Sequence, residues 1–296
     1  MFYDNELNPI ENHNNADEIK GIVEEVKTFV LCCCPDEWKE TVMKNHDNLK
    51  IIFASDDRKY NVLINGEKTE KQINQGHGAL ATPDNLIENK NEISCTFSIV
   101  LQTPYNMHQL RHELFHIYSS TISHENGVAT YKNGCSIKKW NLDNNNGLLV
   151  NYGGMLNEGI TEALTSEMEG GLVSKSGYDS ETMLANLLVG EKRQNSETIK
   201  KCYFGTPESM QEFAKNFNSK IPGDKTTFEN ILKQNALTIQ QFGNEYFAMF
   251  ESAVAFNCEE TKFQKDLIDT TIENSFDALV AFEEENSFNL RNQLNA

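Results

Sequence analysis

Proline is scarce, with six in 296 residues, too few for an extended or linker-dominated chain. With 39% hydrophobic against 24% charged residues, the chain can bury a sizeable core as one large domain or as two lobes around a cleft. Positive charge is also short: 26 Lys plus Arg against 44 Asp plus Glu leave a formal net charge of -18. Such a balance repels a phosphate backbone unless the basic residues cluster. The densest basic pair outside scattered helix faces, Lys138-Lys139, reads as a solvated loop, so nucleic acid is not an expected partner. Long apolar runs are missing as well. The most apolar stretch, Phe29 to Cys34, is far too short to span a bilayer, so no membrane span is expected. The opening Met1 to Glu6 carries acid where an export signal needs a basic start and an apolar core. Paired cysteine spacings are absent too. Three of the seven cysteines are consecutive, at Cys32 to Cys34, and Cys95, Cys135, Cys202 and Cys258 show no zinc-knuckle spacing. They read as reduced thiols packed as small hydrophobes, which points to the cytoplasm.

What is present changes period along the chain. From Ala16 to Cys34 the apolar residues Ile19, Ile22, Val23, Val26 and Val30 recur at helical spacing, and Pro35 ends the run. A second short helix is predicted from Asp36 to about Lys44. Leu49 to Ala54, Tyr60 to Ile64 and Lys68 to Ile73 read as strands, the last two joined by the tight-turn pair Asn65-Gly66. The glycine-rich, turn-rich stretch from Gln75 through His77 to Asn85 reads as a surface loop. Ile93, Cys95, Phe97, Ile99 and Leu101 alternate with polar residues, which predicts an edge strand over Glu92 to Leu101. A helix is expected from Tyr105 to Ile122, a polar, asparagine-rich connection after it, and a further helix from Met155 to Met168. The remainder reads as helices, near 180–189, 196–203, 207–217, 227–234, 238–256 and 263–282.

The chemistry concentrates in His112-Glu113-Leu114-Phe115-His116. Histidines four apart lie almost in line on one helical face, so two imidazoles can grip one ion. Glu113 then sits beside the metal, where a carboxylate can deprotonate water. Leu110, Leu114, Ile117 and Tyr118 give the same helix a buried side, unlike a surface helix that carries this pentapeptide by chance. A catalytic zinc also needs a third protein ligand and an open position. The metzincin pattern would place Gly at 119 and His at 122, but this sequence has Ser119 and Ile122.

Downstream, Asn157-Glu158-Gly159-Ile160-Thr161-Glu162 begins a second helix. Together with the HExxH pentapeptide it resembles the gluzincins, the thermolysin-related zinc metallopeptidases. The resemblance is confined to these two segments, and it departs from thermolysin in the longer interval between them and in Glu rather than Asp at 162. It implies an α+β, zincin-like fold. An N-terminal lobe (1–124) would hold a small mixed sheet and the HExxH helix, a mostly helical lobe (125–296) would supply the third ligand, and the zinc would lie in the cleft between them. By the same resemblance one Zn2+ is held by His112, His116 and Glu158. Glu162 hydrogen-bonds His112, with Asn157 beside it. Glu113 is the base, and the edge strand pairs with a peptide or protein substrate. A tyrosine just upstream of the glutamate ligand in toxin-type relatives makes Tyr152 the leading oxyanion donor, against His124, Tyr131 and His108. The competing readings are a catalytically idle zincin fold that binds a partner through its helical lobe, and a helical interaction protein with no metal.

Overall fold

The computed structural model describes residues 1–74, 77–89, 92–142, 148–152, 154–170, 196–206 and 209. Helix α1 (Ala16–Cys33) buries Ile19, Ile22, Val23, Val26 and Val30 on one face, and Asp17 and Glu18 in its first turn complement the positive end of the helix dipole. A 3-10 turn at Asp36–Trp38 then leads into α2 (Lys39–Asp47), so the second helix starts later than the sequence predicts. The turn is anchored by the buried Trp38 indole, which donates to the Tyr118 carbonyl at 2.9 Å.

The larger sheet contains β1 (Phe2–Tyr3), β2 (Lys50–Phe53), β3 (Lys59–Ile64), β4 (Glu67–Gln72), β5 (Ala79–Asn89) and β6 (Glu92–Leu101), in the order β1-β2-β6-β5-β3-β4. It is mixed: β1, β2 and β6 run parallel, and β5 is antiparallel to β6. The β3–β4 hairpin turns at Asn65-Gly66, both with positive φ, as a two-residue loop requires.

Two sequence expectations fail here. Most of the stretch expected as a loop is strand β5, which reaches from Ala79 past Pro83, Asp84 and Asn85. Its interior polar residues disguise it: Asp84 is fully buried and is satisfied by Lys50, Ser98 and the backbone N–H of Leu63 and Asn85. Pro83 is tolerated because the N–H of Ala81, two residues earlier, points away from β6, so the missing donor of Pro83 falls on that same outer side. The expected edge strand, Glu92 to Leu101, is β6, and it lies inside the sheet with β5 on one side and β2 on the other. Its carboxyl half, Ser98 to Leu101, is apolar but for Ser98 and buried, as suits an interior strand.

Helix α3 (Met107–Tyr118) starts at a capping box formed by Asn106 and Gln109. It ends four residues earlier than the sequence predicts, because Ser120 onward pairs as a strand. The connection expected after it is a second sheet, the antiparallel meander β7 (Ser120–Glu125), β8 (Val128–Asn133), β9 (Ser136–Asn141) and β10 (Leu148–Tyr152). The segment read as a helical lobe from 125 thus opens with strands. Helices α4 (Gly154–Met168) and α5 (Ser196–Tyr203) follow. The helices expected near 180–189, 207–217, 227–234, 238–256 and 263–282 lie outside the described residues.

One core joins these layers, with Val26, Leu114, Phe115, Ile160, Ile199 and Phe204 buried together from α1, α3, α4 and α5. Each such side chain contributes about 1.5–3 kcal/mol through burial. That packing clamps α3 between α1 and α4, so histidines on α3 and an acid on α4 meet at fixed separation. Among the described residues no helix is long and apolar enough to cross a membrane.

Candidate metal centre

His112 and His116 stand one turn apart on α3, their ring centroids 4.8 Å apart and their planes inclined by 71°. Across from them α4 presents Glu158. His112 Nε2 lies 3.1 Å from His116 Nε2 and 3.1 Å from Glu158 Oε2, and His116 Nε2 lies 3.4 Å from the same oxygen. Ligand atoms on a tetrahedral zinc at the usual Zn–N and Zn–O lengths are separated by about 3.3 Å. The triangle therefore has the size such an ion requires, and two imidazoles with a carboxylate are a donor set that suits zinc. Among the described residues this is the group of His, Cys, Asp and Glu side chains that could hold a metal. Both histidines are buried, while the Glu158 side chain keeps 32% of its surface exposed, which leaves an approach on its side of the triangle.

The far nitrogens of the rings settle which atom faces the centre. His112 Nδ1 donates to Glu162 Oε2 at 3.0 Å, and Glu162 is fully buried. The bond to Glu162 orients the His112 ring so that Nε2 is the nitrogen on the Glu158 and His116 side. His116 Nδ1 lies 2.9 Å from Asn133 Oδ1 and 3.2 Å from Asn157 Nδ2. Asn157 Oδ1 already accepts the N–H of Cys135 at 3.0 Å, so its amide turns a donor toward His116. A ring that offers Nε2 to a metal must donate from Nδ1, and the acceptor it meets is Asn133 Oδ1. Asn157 acts one step back: its Nδ2 donates to Asn133 Oδ1 at 3.1 Å and its Oδ1 fixes the β8–β9 turn. Gly134 makes this approach possible. Its φ is +53°, and a Cβ there would meet Asn157 Oδ1 at 2.0 Å and the Tyr203 ring at 2.4 Å.

Electrostatics follow from the crowding. Burial alone would push the His112 pKa down, but its bonds to the Glu158 and Glu162 carboxylates outweigh burial and raise it to about 10. Burial would raise Glu158 and Glu162, yet the facing histidines hold both well below the usual carboxylate range. Without a cation the centre thus binds a proton among its lone pairs, and a divalent ion would have to displace it. Among the described residues no cysteine belongs to that group, and burial pushes the Cys33 and Cys95 thiols up to about 12. Cys135 and Cys202, 3.6 Å apart, are buried.

Glu113 follows His112 on α3 and its charge acts on that ring, and its Oε2 accepts the backbone N–H of Ala81 in β5 at 2.7 Å. Tyr152 ends β10, paired in register with Ile137, and its side chain lies outside the described residues. Of its rivals, His124 is exposed on β7. The Tyr131 hydroxyl is two bonds from the triangle, accepting from Asn133 Nδ2 at 3.1 Å while Asn133 Oδ1 meets His116. His108, one turn before His112, bridges Glu162 and Glu169. His77 is exposed just before β5. Sequence reasoning missed Asn133 and the partners of His108. The pair Asn126-Gly127, a two-residue turn like Asn65-Gly66, signals the β7–β8 hairpin that leads to Asn133. Compared with protein-family models, with curated proteins and with solved structures, the chain matches none.

Proposed function

We propose that the protein is a zinc-dependent metallopeptidase of gluzincin type, with His112, His116 and Glu158 as ligands and Glu113 as general base. The observation that carries this reading is the triangle of His112 Nε2, His116 Nε2 and Glu158 Oε2, with a carboxylate held at its flank. When bound there, zinc supplies Lewis acidity toward a carbonyl and makes water acidic enough to lose a proton near neutrality. Glu113 takes that proton and returns it to the leaving amine; the Ala81 N–H holds its carboxylate in place between the two transfers. Glu162 and Asn133 keep the two imidazoles in the tautomer that ligation needs. Tyr152 is the proposed hydrogen-bond donor to the oxyanion, and Tyr131 is its nearest rival.

The substrate would be an extended peptide. β6 cannot offer it an edge, but the Ala79–Pro83 part of β5 can. Among the described residues β3 joins β5 by one bridge, Ile64 to Leu86, so the outer backbone groups beside Ala81 remain open to strand addition. This stretch runs next to the catalytic carboxylate, which would bring a scissile carbonyl toward the triangle.

Purified protein loaded with zinc and offered a peptide library should cleave it, whereas Glu113→Gln should retain one zinc and lose on the order of a hundredfold or more in rate. Equal cleavage by both proteins would remove Glu113 from the reaction. Bound zinc without cleavage of any peptide would favour a catalytically idle binding protein.

A further inference from the structure

We infer that His108 is a positioning residue of the metal centre: by bridging Glu162 and Glu169 it locks the Glu162 carboxylate against His112 and so sets how tightly the three ligands hold a divalent cation. The inference rests on the metal reading above but concerns a residue that this reading does not need.

The geometry is specific. His108 Nε2 lies 2.8 Å from Glu162 Oε1, and its Nδ1 lies 2.9 Å from Glu169 Oε2. The other Glu162 oxygen, Oε2, is the one that accepts from His112. Glu162 is fully buried, so removing the His108 donor would cost the carboxylate a charge-assisted hydrogen bond that holds its orientation. Both nitrogens of His108 can donate at once only as an imidazolium, and the Glu162 hydrogen bond, with that of Glu169, holds its pKa above the ordinary value against the opposing pull of burial. Glu169 is itself fixed: its Oε1 takes Arg111 at 3.1 Å, and Arg111 reaches Glu25 on α1 at 3.1 Å. The orientation of His112 is therefore set by a chain of alternating charge that ties α1, α3 and α4 together. A mere tie between helices would not need to end on the one carboxylate that holds a ligand.

The test is a double-mutant cycle in zinc affinity, measured by competition with a chromophoric chelator for wild type, His108→Leu, Glu162→Gln and the double variant. Thermal unfolding of each metal-free protein is measured in parallel. His108→Leu should weaken zinc about 10- to 100-fold, and the loss should largely vanish in the Glu162→Gln background. The visible spectrum of the cobalt(II)-loaded variant should shift from that of wild type. If His108→Leu does not fold, Glu169→Gln takes its place in the cycle, with a smaller loss that again disappears beside Glu162→Gln. Unchanged zinc affinity, or a loss that adds in full to that of Glu162→Gln, would overturn the inference while leaving the metal centre intact. Wild type that binds no zinc would overturn both.

Discussion

Two polar centres are buried near the Asn133–Cys135 turn, and they solve the same problem in different ways. Lys132 is completely buried, donates to the Tyr203 carbonyl at 2.9 Å, and lies 5.3 Å from the centre of the Trp38 ring. It has a carbonyl and an aromatic face for its one charge, and burial pushes its pKa down to about 8. His112, His116 and Glu158 instead turn three lone-pair atoms toward one another within 3.1–3.4 Å. The lysine is held by a neutral carbonyl and a ring face, whereas the triangle sets two imidazoles and a carboxylate against one another at the spacing of ligands on one ion. Burial of a polar group alone therefore does not mark a binding site; convergence of several metal-ligating atoms at ligand spacing marks a candidate.

The contrast can be broken by substitution on either side. The largest effect is expected from Glu158→Gln, which removes the charge of the triangle and should weaken zinc on the order of a thousandfold; isothermal titration against wild type checks it, and a loss below tenfold would remove Glu158 from the ligand set. Next comes Gly134→Ala, which imposes a Cβ both on a positive φ and on Asn157 and Tyr203. It should destabilise the chain by on the order of 3 kcal/mol and weaken zinc as well, seen as a lower denaturation midpoint with and without metal.

Lys132→Met sharpens the comparison from the other side. If the lysine is a structural clamp whose charge is costly to bury, the variant should be as stable as wild type at pH 7 or more stable, by up to about 2 kcal/mol, with zinc affinity unchanged. The pH dependence has a definite sign. The folded-state pKa of about 8 lies below the ordinary 10.5, so between these values the unfolded chain holds a proton that the folded chain has released. Wild type then gains stability relative to the variant as pH rises through that window. Denaturant melts of both proteins at pH 7 and pH 9.5 measure it; a gap that widens in favour of Lys132→Met would contradict the sign. The smallest effect is expected at Asn133. Asn133→Ala should cost about tenfold in zinc affinity, and Asn133→Asp should restore most of it by offering the same acceptor to His116 Nδ1.

The residues of the triangle were legible in the sequence because their logic is short-ranged. The spacing of His112 to His116, and of Glu158 to Glu162, places pairs on one face of a helix whatever the tertiary fold. The strands were legible where the pattern alternates cleanly, as in β6. They were hidden where the interior is polar. In β8 the buried residues Ala129 and Lys132 lie on opposite faces of the strand, and a buried lysine reads as solvent-facing. In β5 the buried Thr82 and Asp84 flank a proline, and the result reads as a turn. The contacts of Asn133 with His116 and of the Ala81 N–H with Glu113 depend on pairing between segments distant in sequence, which no local pattern encodes. His108 shows the opposite case. Its position one turn before His112 was visible, but its partners Glu162 and Glu169 belong to another helix.

The central claim is that the imidazoles of His112 and His116 and the Glu158 carboxylate hold one divalent ion. Zinc-edge X-ray absorption on the loaded protein tests it most directly, because seven cysteines offer an alternative sulfur site. The account predicts one zinc per chain, a first shell of nitrogen and oxygen at about 2.0–2.1 Å with two imidazoles, and no sulfur. Scattering from sulfur at about 2.3 Å, or a chain that takes up no zinc, would contradict it.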